Sequence, residues 1–330
     1  MILKFKSIRI FTYILLLIFS IIFFYQLSKE ARNSEKIKLM GGGSSFIYSA
    51  MLKWSNNYYE KTGIQISYHP IGSAGGQRQI LAGIIDFAIS DHSFSDEVLE
   101  KYNLVQHPII SGGVVPIVNI PSVKNNELIL TGEILSNIYL GNIRYWDDIE
   151  IKSLNPNLSL PHTDIIPIHR ADGSGTTYNF SNYLSTVSID WKNLMGIDTS
   201  LSWSTGIGAK GNQGIAVQVQ QIENSIGYVE YAYAKLTKIN TAKMISSEGD
   251  LVIPNFQSFK CATIKESCHK NREICRDFPE NKKWPIVSTV FVILPKHQPE
   301  TTANALKDFF GYIGSKEGKK ISKEFYYISL

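Results

Sequence analysis

From residue 37 onward, short apolar runs alternate with stretches whose apolar residues recur every three or four positions. Ile37–Met40 reads as a strand, and Ile47, Met51, Trp54 and Tyr58 share one face of a helix that Thr62-Gly63 closes. Ile64–Tyr68 is a second strand, His69–Gly76 a turn, and Gln77–Ile85 a second helix with Ile80, Leu81 and Ile84 facing inward. Phe87–Ser90 is a third strand. Strand–helix–strand–helix–strand with short connections predicts an α/β sheet of parallel strands with helices on its faces.

The pattern continues less regularly. A new run, Val114–Ile120, follows Gly112-Gly113 and stops at Pro121. Thr131–Tyr139 and Trp146–Leu154 read as helices and Ile165–His169 as a strand. The tight segment Arg170–Thr177 opens a helix running through Tyr183, and a Gly-rich stretch at 204–214 leads into another, Ile215–Gln221. Ile226–Tyr231 is strand-like, the polar residues 255–283 read as an irregular excursion, Val287–Leu294 is a strong final strand, and Thr302–Tyr312 is a closing helix. No internal repeat is visible.

The beginning of the chain has a different texture. Lys4, Lys6 and Arg9 precede the uncharged run Ile10–Tyr25, and Lys29, Glu30, Arg32, Glu35 and Lys36 follow it. A helix packed on the surface of a domain would carry a polar face, and these sixteen uncharged residues have none, which sets them apart from an ordinary domain helix. Residues 1–34 therefore read as a signal peptide or an N-terminal membrane anchor. The basic flank holds that end in the cytosol, so the body is exported. No clean small-x-small cleavage site precedes Lys36, and no Cys precedes Cys261, which excludes a lipid-modified N-terminal Cys.

At 330 residues the chain suits two domains. With 44% hydrophobic and 19% charged residues it is neither wholly disordered nor a polytopic membrane protein. A formal charge of +4 invites a nucleic-acid partner, but five basic residues against one acidic residue in 1–34 account for all of it. The body balances 28 basic against 28 acidic residues, and the nucleic-acid reading goes. Export makes disulfides permissible. The three cysteines, Cys261, Cys268 and Cys275, are spaced by seven and allow at most one internal bridge. Their spacing with His269 matches no common structural-zinc pattern, and no metal or cofactor is expected.

Three turns place Gly and Ser just ahead of a helix: Gly43-Ser44-Ser45-Phe46, Gly72-Ser73-Ala74-Gly75-Gly76 and Gly173-Ser174-Gly175-Thr176. Helix N-termini offer unpaired N–H groups and a partial positive charge. Each turn alone is an ordinary cap. Three of them beside strand ends, one with Arg170 just upstream, make an oxyanion site. Enzyme motifs fail: GIGAKG lacks the spacing of a nucleotide-binding loop, and the residues around Ser174 are not a nucleophile elbow. The seven histidines form no i, i+4 pair.

Eight segments carry a resemblance in the same order along the chain: GGGSSF (41–46), IGSAGGQRQI (71–80), DFAISD (86–91), GGVVPIVNIP (112–121), IYLGNIRYWDD (138–148), RADGSGTTYNF (170–180), SIGYVEYAYAK (225–235) and WPIVSTVFVIL (284–294). Together they resemble the phosphate-binding protein of the ATP-binding-cassette phosphate importer. The resemblance implies a two-lobed periplasmic-binding-protein fold of type II, with mostly parallel sheets flanked by helices. It implies lobe 1 at 35–112 plus 288–330, lobe 2 at 113–287, and phosphate held between them. The implied contacts are Ser45, Phe46, Ser73, Asp91, Arg170, Ser174, Gly175 and Thr176, with Asp172 behind Arg170. Ser45 stands where the family has Thr, and Ala74 where many members have a second Ser.

The chemistry is consistent with that assignment. Phosphate near neutral pH keeps at least one proton and sulfate keeps none. A buried Asp91 carboxylate only accepts, so it takes the phosphate O–H and leaves sulfate with acceptors facing acceptors. Such a site rejects the analogue lacking the hydroxyl by about 10⁴–10⁵. Asp91 could also be a helix N-cap ahead of Phe94. An anion touching both lobes favours the closed form, which a permease then recognises. The expected protein is a monomeric, non-enzymatic periplasmic receptor. A membrane-tethered phosphate sensor and a secreted phosphatase on the same scaffold are the alternatives. Two departures bear on importer docking: the 255–283 stretch has no counterpart in the family, and the family's closing helical extension looks missing.

Overall fold

The alternating pattern after residue 37 folds as three adjacent strands. In the computed structural model, which describes residues 17–22, 37–267 and 283–330, β1 (Lys38–Gly43) pairs in parallel with β2 (Gln65–His69) on one side and β3 (Phe87–Ser90) on the other. Helix Tyr48–Thr62 buries Ala50, Met51, Trp54 and Tyr58, and Gly63 closes it at φ 74°, donating its N–H to Tyr59 O. Trp54 Nε1 donates to Gly318 O, which fastens this helix to one at the far end of the chain.

The second helix begins earlier than its apolar residues suggest. It spans Ser73–Leu81 with Gly72 as its N-cap, so Ser73-Ala74-Gly75-Gly76 form its first turn. Gly83, at φ +66°, follows its end, and Ile84 is 62% exposed rather than inward.

One strand joins the two halves of the molecule. The expected run at Val114–Ile120 is the second part of β4 (Leu104–Asn119), whose first part is masked in the sequence by Gln106, His107 and Pro108. Strands β5 (Ile129–Leu130), β6 (Ile166–Arg170), β7 (Ile207–Ala209), β8 (Ser225–Glu230), β9 (Asn240–Thr241), β10 (Lys243–Ile245), β11 (Leu251–Val252), β12 (Val287–Pro295) and β13 (Ile328–Ser329) complete the set among the described residues. The main sheet has the order β2-β1-β3-β12-β4-β8-β6-β7, with β9 and β13 also on β4 and a separate sheet β11-β10-β5. Its two wings are parallel, as expected, in β2-β1-β3 and β8-β6-β7. Its centre is antiparallel, because β4 and β12 run through the middle in opposite directions and β8 returns beside β4. The fold is therefore a mixed α/β sheet flanked by helices.

The middle is packed with aromatic rings. A side chain at Gly113 would meet the Phe259 ring at 2.2 Å, and one at Gly112 would meet Phe46 and Tyr327 at 3.0 Å each. Phe259 belongs to helix Phe256–Ser267, so the first part of the polar 255–283 stretch is an ordered helix and not an irregular excursion. The stretch reads as polar because its inward residues are few: Ser258, Phe259 and Thr263 are buried. Cys261 lies in this helix, while Cys268 and Cys275 lie outside the described residues.

Two helices and then β13 close the described part of the chain. Glu300–Gly314 covers the expected closing helix, and Lys316–Glu324, unanticipated in the sequence, packs back on Tyr48–Thr62. Of the apolar run Ile10–Tyr25 only 17–22 are described, as helix. No helix among the described residues is long and apolar enough to cross a membrane.

Candidate anion-binding cleft

The three Gly/Ser turns converge where β1, β3 and β6 end. Gly72 sits at φ +81°, and a Cβ there would lie 2.5 Å from Gly173 O and 2.6 Å from Asp172 Oδ2. Only glycine fits that conformation at that approach. Ala74 N donates to Gly173 O at 3.1 Å, so the second and third turns touch backbone to backbone. Gly175 is equally tight: a Cβ would meet Ser73 Oγ at 2.5 Å and the Asp91 Cβ at 2.6 Å.

Arg170 is the cation of the cluster, with its side chain 2% exposed. Its Nε and Nη2 donate to Asp172 Oδ1 and Oδ2 at 2.7 and 2.6 Å, a fork-on-fork pair that fixes the guanidinium plane. Nη1 reaches Thr176 Oγ1 at 3.4 Å. Asp172 Oδ1 also accepts the Gly211 N–H at 3.0 Å. Burial works to raise the Asp172 carboxyl, but the Arg170 hydrogen bonds and charge, with Gly211 N–H, bring it below the usual carboxylate range.

Asp91 is buried and differently served. Oδ2 stands 3.5 Å from Thr176 Oγ1, while Oδ1 is buried without a hydrogen-bond partner among the described residues. Burial pushes its pKa up to about 6, against lowering by Ser44, Arg170 and Thr176. The N-cap alternative does not apply to it, because the next helix, Asp96–Lys101, is capped by Ser95. The Asp91 backbone is held instead, its N–H donating to Ser73 Oγ and its carbonyl accepting from Asn179 Nδ2.

The remaining expected contacts fall in or beside this cluster. Ser45 Oγ accepts from Asn212, and the Phe46 N–H donates to Ser44 Oγ at 3.0 Å. Ser174 caps helix Gly175–Val187, accepting from Thr177 N, and its own N–H goes to Thr199 O. The N–H groups of Gly175 and Thr176 open that helix and have no place in its own ladder. Sequence reasoning missed Ser44, Asn212 and Glu230. Glu230 is a buried carboxyl raised well above the usual range by burial, with Oε1 accepting from Ala232 N. Asn212 stands in the Gly-rich 204–214 stretch, the one signal that could have found it. Among the described residues no group of three His, Cys, Asp or Glu could hold a metal ion.

Two wings joined by a long antiparallel crossover, with helix N-termini meeting between them, define a periplasmic binding protein. Residues 28–317 match the PBP superfamily domain. Solved structures share the fold. A phosphate ABC transporter substrate-binding protein from Clostridium perfringens, with bound phosphate, aligns at TM-score 0.66 and 19% identity over 89% of this chain and 99% of that one. The phosphate-binding protein of Stenotrophomonas maltophilia aligns at 0.64 and 19% over 89% and 90%. Sequence relatives are closer. The phosphate-binding protein PstS of Haemophilus influenzae is 42% identical over 88% of both chains, and that of Pasteurella multocida is 41% identical over 92% of this chain and 89% of its own. The chain belongs to the PstS phosphate-binding protein family.

Proposed function

We propose that the chain binds inorganic phosphate in this cleft and delivers it to the permease subunits of an ATP-binding-cassette importer, working as an exported, periplasmic monomer. As a member of a binding-protein family it holds its ligand and does not turn it over, so the secreted-phosphatase alternative falls. Ser45, Phe46, Ser73, Asp91, Arg170, Ser174, Gly175 and Thr176 contact the phosphate, and Asp172 braces Arg170. The observation that carries this reading is the partnerless, buried Oδ1 of Asp91 beside a paired arginine. A lone carboxylate acceptor among donors suits an anion that brings its own proton.

The lobes are 35–112 with 288–330, and 113–287. The two boundaries face one another in the sheet, since Gly112 pairs with Ser288 and Gly113 with Val287. Both crossings therefore form one hinge ladder. Residues 1–34 are the export segment, cleaved or retained. A retained segment makes the chain a membrane-tethered receptor, and the mass of the mature N-terminus distinguishes the two.

Calorimetric titration of the native chain with phosphate, sulfate and arsenate tests the function. Phosphate should bind and sulfate should fail to compete at a large excess. Equal binding of phosphate and sulfate, or no binding of phosphate, overturns the reading.

A further inference from the structure

Asn212 has no solvent exposure and touches both sides of the cleft. Its backbone N–H and its Nδ2 both donate to Ser45 Oγ at 3.0 Å, and Nδ2 also donates to Thr176 Oγ1 at 3.3 Å. The orientation of its amide is set from behind, because the Glu230 N–H donates to Oδ1 at 2.9 Å and only the oxygen can accept it. Nδ2 therefore faces the two hydroxyls.

A hydroxyl has two lone pairs and one proton. Ser45 Oγ receives two N–H groups from Asn212, so both lone pairs are engaged, and among the described residues it makes no donation of its own. Thr176 Oγ1 receives Nδ2 of Asn212 and Nη1 of Arg170, and its proton is directed toward Asp91 Oδ2. A free hydroxyl turns to show an oxygen either its proton or a lone pair. Ser45 Oγ can show only its proton, while Thr176 Oγ1 has both lone pairs engaged and its proton turned to Asp91.

We infer that Asn212 is a positioning residue that commits the Ser45 hydroxyl as a donor to the anion and helps hold the Thr176 hydroxyl toward Asp91, without touching the anion itself. This rests on the phosphate reading above. A hydroxyl held as a donor in the closed cleft cannot turn a lone pair toward the anion. Asn212 also ties Ser45, at the end of β1, to the start of helix Gly211–Gln221, so the commitment is complete only when the two halves are together. Gly211 extends the arrangement: its N–H holds Asp172, which holds Arg170. The first two residues of this helix thus set the Ser45 donor, the Thr176 hydroxyl and the guanidinium.

The test is a double-mutant cycle on phosphate affinity with the native chain, Ser45→Ala, Asn212→Ala and Ser45→Ala/Asn212→Ala, each checked for ligand-free thermal unfolding. A hydrogen bond to a charged partner is expected to change affinity by roughly ten-fold or more. Each single variant should weaken binding about ten-fold, and the double variant should fall clearly short of the product, because Asn212 acts partly through Ser45. Asn212→Asp supplies a second cycle if the alanine variant folds poorly. It keeps the acceptor for Glu230 N but presents lone pairs to Ser45. Simple charge repulsion would persist undiminished in the Ser45→Ala background, whereas misorientation of Ser45 would not. Independent, multiplying effects, or an Asn212→Ala variant with native affinity, overturn the inference while leaving the phosphate reading standing. A native chain that binds no phosphate takes both down.

Discussion

Asp91 on the first half of the cleft and Asp172 on the second are the same side chain in opposite surroundings. Asp172 spends both oxygens on Arg170 and takes a third hydrogen bond from Gly211, and its carboxyl is held low. Asp91 has the Thr176 hydroxyl 3.5 Å from Oδ2 and Ser44 nearby, no hydrogen-bond partner on Oδ1 among the described residues, and a pKa pushed up to about 6 by burial. The satisfied carboxylate is part of the scaffold. The unsatisfied one can read a ligand. A neutral body does not attract an anion through net charge, so on the phosphate reading proposed above selectivity would rest on the contrast between these two groups.

The largest effect should come from erasing the contrast. Asp91→Asn gives the cleft a donor in place of a carboxylate oxygen, and the preference for phosphate over sulfate, expected at about 10⁴–10⁵ in the native chain, should fall toward unity in competition titrations. Lowering the pH of the native protein through about 6 should move the ratio the same way but less far, since a protonated Asp91 can donate. Folding stability has a definite sign here. A carboxyl whose folded pKa lies above its ordinary 3.8 stabilises the fold below about pH 4 and loses that contribution as pH rises through about 6. The melting temperature of ligand-free native protein should fall across that window relative to Asp91→Asn.

Next in size is Arg170→Ala, which removes the cation and leaves Asp172 unpaired. Truncating one member of a buried charge pair costs about 2–5 kcal/mol, so phosphate affinity should drop by roughly two orders of magnitude or more in calorimetry. Gly175→Ala tests the contact between the halves and not the charges. Its Cβ would collide with Ser73 and Asp91, and overpacking of about 1–3 kcal/mol predicts roughly ten-fold to hundred-fold weaker binding. The smallest change should be Asp172→Asn. It keeps the shape and one acceptor for Arg170, and the loss should be about two- to five-fold. A larger loss for Asp172→Asn than for Asp91→Asn in the phosphate-to-sulfate ratio would reverse the comparison.

The sequence showed the first wing almost whole, because a parallel sheet covered on both faces writes itself as clean apolar runs separated by helical periods. It hid the first part of β4, where Gln106 to Pro108 interrupt the run, and placed Ile84 inside when Gly83 had already ended the helical path. The site was legible as turns and not as partnerships. Ser45 and Asp91 lie near recognisable Gly/Ser turns and strand ends. Asn212 is 167 residues from the hydroxyl it holds, and no local pattern announces such a pairing. Glu230 looked like one more strand residue until the next turn was seen to begin on its carboxylate.

The paired crossings Gly112–Ser288 and Gly113–Val287 have a consequence for timing. Both are backbone ladders, and neither includes a residue that would touch the cargo. On the lobe division proposed above, swinging the halves apart need not rupture them, and what would resist opening is the set of contacts joining the halves, such as His92 against Tyr178, Ala74 N–H to Gly173 O, and the Asn212 tie. Changes to those joining contacts would then alter how long the cargo stays bound, with the axis of motion left as it is.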